Sequence, residues 1–312
     1  MISPATLMLS LFYRCMALTS RIFGPWLFSC VAKGIAAGYF LFSPQRVGVS
    51  KRFYQALFPQ LSGAFHLRCA WKQFLNFTSV YLDRLLLGED GKITCTHAGW
   101  EHVEAALDRN TGGIILMSHL GNWEIAAHFM QQRREHLRLI LFMGMRAKAE
   151  IERFQKDELR RKGIRILAVE KDSAAPFDLI EGLQFIQSGG LISMTGDKLW
   201  HSSQRSVPVA FLGHEVRLPE TPHLLAMLSG VPLFIFFSRR TGRRRYHLSI
   251  AEPIYVGKVG RRERAEAIRR SAQTYADLLA QTLGENPLEW YHFETFLGPR
   301  LAGAATPQPN RF

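Results

Sequence analysis

The sequence contains few cysteines, and their spacing argues against two common kinds of site. Only four occur in 312 residues, and no pair has the Cys-x-x-Cys spacing typical of zinc ligands. The zinc-peptidase pattern His-Glu-x-x-His and the serine-hydrolase pattern Gly-x-Ser-x-Gly are also absent. We therefore expect no metal, no cofactor, no disulfide framework and no nucleophilic serine. The cysteines are Cys15, Cys30, Cys69 and Cys95.

Acidic residues are missing from the first quarter of the chain. The first is Asp83, whereas eight lysines and arginines precede it. Within this basic block, residues 22–42 are apolar with Lys33 as their only charge. At about 1.5 Å per residue, this stretch is just long enough to cross the hydrocarbon of a bilayer. A helix lying in the membrane interface and a buried helical layer are the alternatives.

The basic residues that follow this stretch favour a cytoplasmic location for the rest of the chain, under the positive-inside tendency. No convincing signal-peptide cleavage site follows the early apolar run. We expect residues 1–88 to form helices that hold the protein at the cytoplasmic face of the inner membrane. The net charge of +13 coincides with this apolar block, and no nucleic-acid-binding module is recognisable, so nucleic acid is not expected as a partner.

Composition and patterning indicate an α/β fold for the remainder. With 47% hydrophobic residues, the chain can bury a full core as one large domain plus an appendage. Apolar strands alternate with helical patterns, which predicts a central, mostly parallel or mixed sheet flanked by helices in residues 89–298. An Ala/Gly/Pro-rich tail, residues 299–312, is expected to be mobile.

A candidate catalytic pair lies at one strand-to-helix junction. The apolar run at residues 113–118 reads as a buried strand, and Gly121-Asn122 is turn chemistry that leads into a helix. This places His119 at the rim of the sheet, where ligands of open α/β folds bind. Glu124, in the first helical turn, is close enough in sequence to hydrogen-bond one imidazole nitrogen, which would leave the other facing a substrate. The alternative is a purely structural role, in which these residues cap the start of a helix and the histidine makes its hydrogen bonds within the protein.

Residues 100–297 resemble the bacterial lipid A biosynthesis acyltransferase family, of the lysophospholipid acyltransferase-like superfamily. The resemblance rests first on a His-x4-Asp/Glu dyad after a strand, which His119 and Glu124 match. Ordered agreement over about two-thirds of the chain is more specific than any one motif. The other matching segments are Gly99-Trp100-Glu101-His102, Met145-Arg146, Gly196-Asp197-Lys198, Val209-Ala210-Phe211-Leu212-Gly213, residues 224–232, and Asn286-Pro287-Leu288-Glu289-Trp290-Tyr291.

The resemblance implies an O-acyltransferase that moves a fatty acyl chain from acyl carrier protein to a hydroxyl of a lipid acceptor. His119, oriented by Glu124, would be the general base. Arg146 follows an apolar run and would meet a developing oxyanion or an acceptor phosphate, unless it is simply exposed at a loop start. Asp197 would orient Arg146 or a sugar hydroxyl, or would cap its loop. Asn122 would order the turn or donate to the acyl carbonyl.

Two departures from the family pattern bear on the acceptor. Gly196-Asp197 stands where the members that complete lipid A usually have Pro-Asp, and the dyad interior Leu-Gly-Asn-Trp is like that of less typical members. The expected acceptor is a lipid A precursor or related glycolipid. A polyene or polyketide alcohol, or an aminolipid, is the alternative acceptor. A membrane-associated protein that binds lipid without catalysis is the alternative function.

Two further segments carry clear patterns. An arginine-rich stretch, residues 239–245, lies between two strands and is expected to be a hairpin tip. Solvated charge is its default interpretation, and phospholipid headgroups or acidic acyl carrier protein are the partners that it would suit. Residues 262–283 have apolar side chains at helical spacing and predict an amphipathic helix. Trp290 and Tyr291 are interpreted as core or interface aromatics.

Overall fold

From residue 93 onward, strands alternate with helices in the computed structural model, which describes residues 25–86, 93–134, 137–144, 164–169 and 176–302. The helices are α1 (Pro25–Phe42), α2 (Pro44–Leu57), α3 (Gly63–Leu86), α4 (Trp100–Asp108), α5 (Trp123–Arg133), α6 (Pro176–Gln187), α7 (Thr221–Ser229) and α8 (Arg264–Glu285), followed by a 3-10 turn (Pro287–Glu289). The strands are β1 (Thr94–Ala98), β2 (Gly113–Met117), β3 (Leu139–Gly144), β4 (Ile164–Val169), β5 (Leu191–Thr195), β6 (Ser206–Phe211), β7 (His214–Pro219), β8 (Leu233–Gly242) and β9 (Arg245–Ile250).

Seven of these strands form one sheet in the order β1-β9-β8-β2-β5-β3-β4. Every neighbouring pair is parallel except the β8–β9 hairpin, so the predicted α/β fold with a mostly parallel sheet is confirmed. β6 and β7 form a separate antiparallel pair. The central strands β2 and β5 and the first six residues of β8 are almost wholly buried because helices cover both faces of a parallel sheet.

Side chains that alternate along β2 enter two cores on opposite faces of the sheet. Ile114 and Leu116 belong to the core that contains α7 and α8, whereas Ile115 packs with α4 and α5. The amphipathic helix predicted at residues 262–283 is α8, and its predicted apolar stripe is buried. The stripe residues are Ile268, Ala272, Tyr275, Leu279 and Leu283.

Helix α1 lies against α3 and leaves apolar side chains exposed. Phe40 makes edge-to-face contacts with Trp71 and Phe74 of α3. Within the described ranges, no helix has the length and apolar character needed to cross a membrane. The exposed large apolar residues of α1 are Trp26, Ile35, Tyr39, Leu41 and Phe42.

The N-terminal helices pack against the segment that follows α8. The Tyr54 hydroxyl donates to the carbonyl of Pro287 at 3.0 Å, and the Gln73 amide donates to the carbonyl of Trp290. The predicted tail is held at its start by the β6–β7 pair. The N–H of Leu301 donates to the carbonyl of Gly213, between β6 and β7, at 2.9 Å. Residues 303–312 lie outside the described part of the chain.

Candidate active site

The loop after β2 carries His119 and is fixed by the segment that follows α8. The backbone carbonyl of His119 accepts from the N–H of Tyr291, and the N–H of Gly121 donates to the carbonyl of Glu289, both at 2.8 Å. Leu120 lies between these two contacts and forms an isolated β-bridge with Trp290. The position of His119 is therefore set by main-chain hydrogen bonds across a large sequence separation.

Gly121 is required by the path of this loop. Its φ is +69°, in the left-handed region, and a Cβ at this position would lie 1.7 Å from the carbonyl oxygen of Ser238 in β8. No side chain fits there without moving the backbone. The next residue, Asn122, caps the N-terminus of α5, and its Oδ1 accepts from the N–H of Glu124 at 3.0 Å. The turn chemistry expected of Gly121-Asn122 is thus confirmed in detail.

Asp197 contacts His119 twice. Its Oδ2 accepts from the backbone N–H of His119, and its Oδ1 lies 2.8 Å from the Nδ1 of the same residue. The register of the sheet explains this contact, because Met117 of β2 pairs with Thr195 of the parallel strand β5. His119 lies two positions after Met117, and Asp197 lies two positions after Thr195. The adjacent strands therefore bring His119 and Asp197 together.

The buried carboxylate of Asp197 fixes the tautomer of His119. Burial by itself raises the pKa of Asp197, but the interactions with His119 and His292 outweigh burial and lower this pKa to about 2. The carboxylate is therefore ionised at neutral pH and can only accept hydrogen bonds. It follows that Nδ1 of His119 carries a hydrogen and donates to Asp197, so that Nε2 is the nitrogen left to act as a general base.

Trp290 supplies a third donor to the same carboxylate. Its indole N–H donates to Oδ2 of Asp197 at 2.8 Å, and the Trp290 ring is 1% exposed. The interpretation of Trp290 as a core aromatic was incomplete, because the residue both packs in the core and orients the carboxylate. The ring is enclosed by Phe53 of α2 and by Phe296.

His292 is a second histidine beside His119, and the sequence analysis missed it. The two rings meet edge to face with centroids 5.5 Å apart, and the His292 ring stacks on Trp290. Burial lowers the pKa of His292 to about 4, so this imidazole is neutral near pH 7. The sequence offered one clue to His292, its position two residues after Trp290 of a family motif. However, this segment has no strand or helix periodicity from which the direction of the His292 side chain could be predicted.

The other predicted site residues have mixed outcomes. Glu124 lies in the first turn of α5 with its side chain buried. The contact at Nδ1 of His119 is made by Asp197, which was not among the roles expected for this aspartate. The pairing of His119 with Glu124 stays a prediction. Asn122 has no exposed surface, so its direct contact with a substrate also stays a prediction. Arg146 lies outside the described residues.

The accessible face of the site is formed by His119 and by residues that follow β5. The His119 side chain is 28% exposed, whereas Asp197 beneath it is 0% exposed. Trp200 has its ring centroid 6.5 Å from that of His119, and Lys198 pairs with Glu294 at 2.7 Å. Within the described ranges, no group of three or more His, Cys, Asp and Glu side chains is arranged to hold a metal ion.

A known family model matches most of this chain. The family model described as "Bacterial lipid A biosynthesis acyltransferase" matches residues 89–296, which include β1 to β9, His119 and Asp197. The chain belongs to this family. The family resemblance expected from the sequence motifs is thereby confirmed, and the matched range contains every described strand.

Two curated relatives are phosphatidylinositol mannoside acyltransferases of Mycobacterium tuberculosis, from strains H37Rv and CDC 1551. Each is 23% identical to this chain over 194 residues. The match covers 62% of this chain and 57% of each relative, so the chain spans little more than half the length of these relatives.

Proposed function

We propose that the protein is an O-acyltransferase that moves a fatty acyl chain from a thioester to a hydroxyl of a membrane lipid. The observation that carries this proposal is the His119–Asp197 pair, in which a buried carboxylate binds Nδ1 of a partly exposed histidine at the end of a central strand. Family membership supports the same reaction class.

The proposed reaction needs no covalent enzyme intermediate. Nε2 of His119 removes the proton of the acceptor hydroxyl as that oxygen attacks the thioester carbonyl carbon. The C–S bond of the tetrahedral intermediate then breaks, and the imidazolium returns the proton to the leaving thiolate. Asp197 stabilises the imidazolium and holds the ring in place, as the carboxylate of a catalytic triad does.

Three other predicted site residues assist His119 in this proposal. Arg146 would place positive charge near the developing oxyanion, an effect commonly worth about 2.7–4 kcal/mol for one donor. Glu124 would support His119 from the start of α5, and Asn122 would act mainly through the capping contact that orders this turn. In this scheme the machinery for proton transfer is contributed by the protein alone.

The proposed acceptor is a lipid A precursor or related glycolipid, and the proposed donor is acyl carrier protein. The relatives' name, phosphatidylinositol mannoside acyltransferase, supports a glycolipid acceptor. The strongly basic chain, with a net charge of +13, would suit an acidic carrier protein. A polyene, polyketide alcohol or aminolipid acceptor would use the same chemistry with a different hydroxyl.

We also propose that α1 binds the surface of the inner membrane from the cytoplasmic side. Leu41 and Phe42 are 72% and 86% exposed, and Trp26 is 61% exposed on the same helix. Lys33 and Arg46 lie close by in sequence, and the chain has no acidic residue before Asp83. Apolar side chains combined with basic charge suit an interfacial helix on anionic lipid.

The test is a mass-spectrometric comparison of lipid extracts from cells with and without the gene, complemented by wild type or by His119→Ala. A lipid that loses one acyl group without the gene, and regains it only with wild type, would support transfer and identify the acceptor. Full rescue by His119→Ala would contradict the catalytic proposal. Binding of acyl lipid without turnover would instead favour a non-catalytic lipid-binding protein.

A further inference from the structure

Four consecutive main-chain carbonyls in the segment that follows α8 each accept a hydrogen bond. The carbonyl of Glu289 accepts from the N–H of Gly121, in the loop after β2. The carbonyls of Pro287, Leu288 and Trp290 accept from side chains of the N-terminal helices. Because a buried main-chain carbonyl needs a hydrogen-bond partner, these contacts determine where the segment can lie.

Three polar side chains supply the hydrogen bonds on the N-terminal side. They are Tyr54 of α2, at 3.0 Å from the carbonyl of Pro287, Asn76 of α3, at 3.3 Å from that of Leu288, and Gln73 of α3, which donates to that of Trp290. Gln73 and Asn76 are three residues apart and therefore lie on one face of α3. Tyr54 is 0% exposed and Gln73 is 1% exposed. All three donors precede residue 89, where the range matched by the family model begins.

One link from α3 to the catalytic pair runs through Trp290. Its carbonyl is bound by Gln73, and its indole N–H donates to Asp197 at 2.8 Å. The same residue is therefore held by α3 at its main chain and holds the carboxylate with its side chain. A shift of this main chain would move the indole relative to Asp197, and Asp197 sets the direction of the His119 ring.

A second link runs through Asn76. Besides its contact with the main chain, the Asn76 amide lies 3.2 Å from Oε1 of Glu289. The carbonyl of Glu289 binds the N–H of Gly121, and two residues on, the N–H of Tyr291 donates to the carbonyl of His119, both at 2.8 Å. Asn76 thus holds the part of the segment that forms hydrogen bonds with the His119 loop.

We propose that Gln73, Asn76 and Tyr54 are positioning residues for acyl transfer, acting through the segment that they hold against the His119 loop. The inference rests on the proposed function. Under it, α2 and α3 belong to the catalytic apparatus, in addition to the membrane contact proposed for α1. The three side chains do not take part in the chemistry and affect it only through the placement of His119 and Asp197.

Gln73→Met tests the contact that leads to Asp197. Methionine is similarly long and flexible but offers no N–H to the carbonyl of Trp290. We expect kcat to fall by on the order of tenfold to a hundredfold with KM for donor and acceptor unchanged, since a misplacement of about 1 Å by a distant mutation can cost about 10²-fold. Steady-state acyl transfer measures both constants, and thermal melting checks folding. Tyr54→Phe, which removes only a hydroxyl, is the second variant if Gln73→Met fails to fold.

Tyr246→Phe is the matched control. The Tyr246 hydroxyl of β9 donates to the buried Asp83 of α3 at 2.5 Å, so its removal also breaks a buried hydrogen bond between α3 and the sheet domain. This contact does not involve the carbonyls after α8. Tyr246→Phe should therefore keep wild-type kcat even if its melting temperature falls. Equal losses of kcat in Gln73→Met and Tyr246→Phe would overturn the inference, because they would indicate a general loosening of α3.

Nitrogen-15 NMR of the histidine side chains measures the positioning without turnover. With His119 assigned by comparison with His119→Ala, wild type should carry the hydrogen on Nδ1 of His119 at a pH where the ring is neutral. Folded Gln73→Met should show a mixture of tautomers, and Tyr246→Phe should match wild type. This result in a protein that transfers no acyl chain would support the positioning and refute the acyltransferase. Wild-type kcat together with a wild-type His119 spectrum in folded Gln73→Met and Tyr54→Phe would overturn the positioning.

Discussion

The carboxylate of Asp197 holds His119 at both its backbone N–H and its Nδ1, each at 2.8 Å, although 78 positions separate the two residues. The double contact fixes the direction of the imidazole as well as its tautomer. Because the indole of Trp290 binds the same carboxylate, the geometry of the candidate base depends on three segments of the chain. These segments lie after β2, after β5 and after α8.

Asp197→Asn should reduce kcat about ten-thousandfold with little loss of folding, because an amide in place of the carboxylate disfavours the required tautomer of His119. Steady-state acyl transfer by purified protein measures the effect, and circular dichroism checks the fold. Glu124→Gln is the comparison, since it changes the dyad carboxylate expected from the sequence. If Asp197→Asn kept wild-type kcat while Glu124→Gln lost most of it, the orienting role would belong to Glu124.

Trp290→Phe should lower kcat about tenfold and leave KM for the donor unchanged. The substitution keeps an aromatic ring but removes the N–H that binds Asp197, and a hydrogen bond to a charged group is worth about 1.5–3 kcal/mol. Trp100→Phe is the matched control, because its buried indole donates to Glu104 in α4 instead. Equal losses of kcat in both variants would indicate a general packing effect rather than loss of positioning.

Gly121→Ala should destabilise the protein by about 1–3 kcal/mol or more and abolish transfer. The left-handed φ opposes a side chain at this position, and the new methyl group would collide with the carbonyl of Ser238. Denaturant unfolding measures the loss of stability. Gly257→Ala is the control, since a Cβ there meets nothing within 4 Å. Wild-type stability and activity in Gly121→Ala would show that the loop adopts another path.

The free energy of unfolding should fall as the pH is lowered from 6.5 towards 4, in part because of His223. Burial lowers the pKa of His223 to about 4, whereas the unfolded histidine takes up a proton near pH 6.5. Acid therefore favours the unfolded chain in this window, by on the order of 3 kcal/mol for a histidine buried in its neutral form. The Nδ1 of His223 lies 2.8 Å from the Ser271 hydroxyl, far in the sequence from the candidate site.

His223→Gln should flatten this pH dependence because glutamine cannot titrate. Urea unfolding at several pH values measures the difference between wild type and variant. That difference should be constant above pH 7 and should shrink or reverse between pH 6.5 and 4. Parallel curves over the whole range would mean that His223 does not remain neutral in the folded protein.

Leu41→Asp combined with Phe42→Asp should weaken binding to vesicles that contain anionic phospholipid by about tenfold or more. Burial of one large apolar side chain contributes about 1.5–3 kcal/mol, and the new carboxylates would be repelled by anionic lipid. Co-sedimentation with vesicles measures the partitioning. Leu228→Asp is the control, because Leu228 is also exposed but lies on α7. Equal binding by both variants would exclude α1 as the contact surface.

Sequence patterns were sufficient for the features that depend on local periodicity. The buried strand before His119 follows from a continuous apolar run, and the Gly121-Asn122 turn follows from the turn preference of these two residues. The apolar stripe of α8 follows from spacing that repeats about every 3.6 residues. The β8–β9 hairpin around the arginine-rich stretch was also predicted. The first two arginines of the stretch lie in β8 rather than at the tip, where Arg239 pairs with Glu285 at 2.7 Å and Arg240 lies 3.5 Å from the buried Asp83. Arg243 and Arg245, at the tip, are exposed as expected.

By itself, the sequence determined the α/β class, the family and the placement of His119 at a strand end. The fold class and the position of His119 follow from local hydrophobic patterns, and the family follows from motifs in a fixed order. Tertiary structure alone decided that Asp197 faces Nδ1 of His119, that Trp290 holds Asp197, and that His292 joins them. These contacts depend on β2 lying beside β5 in matched register and on the segment after α8 crossing the His119 loop. Strand order is a property of how the whole chain packs, and no local periodicity encodes it.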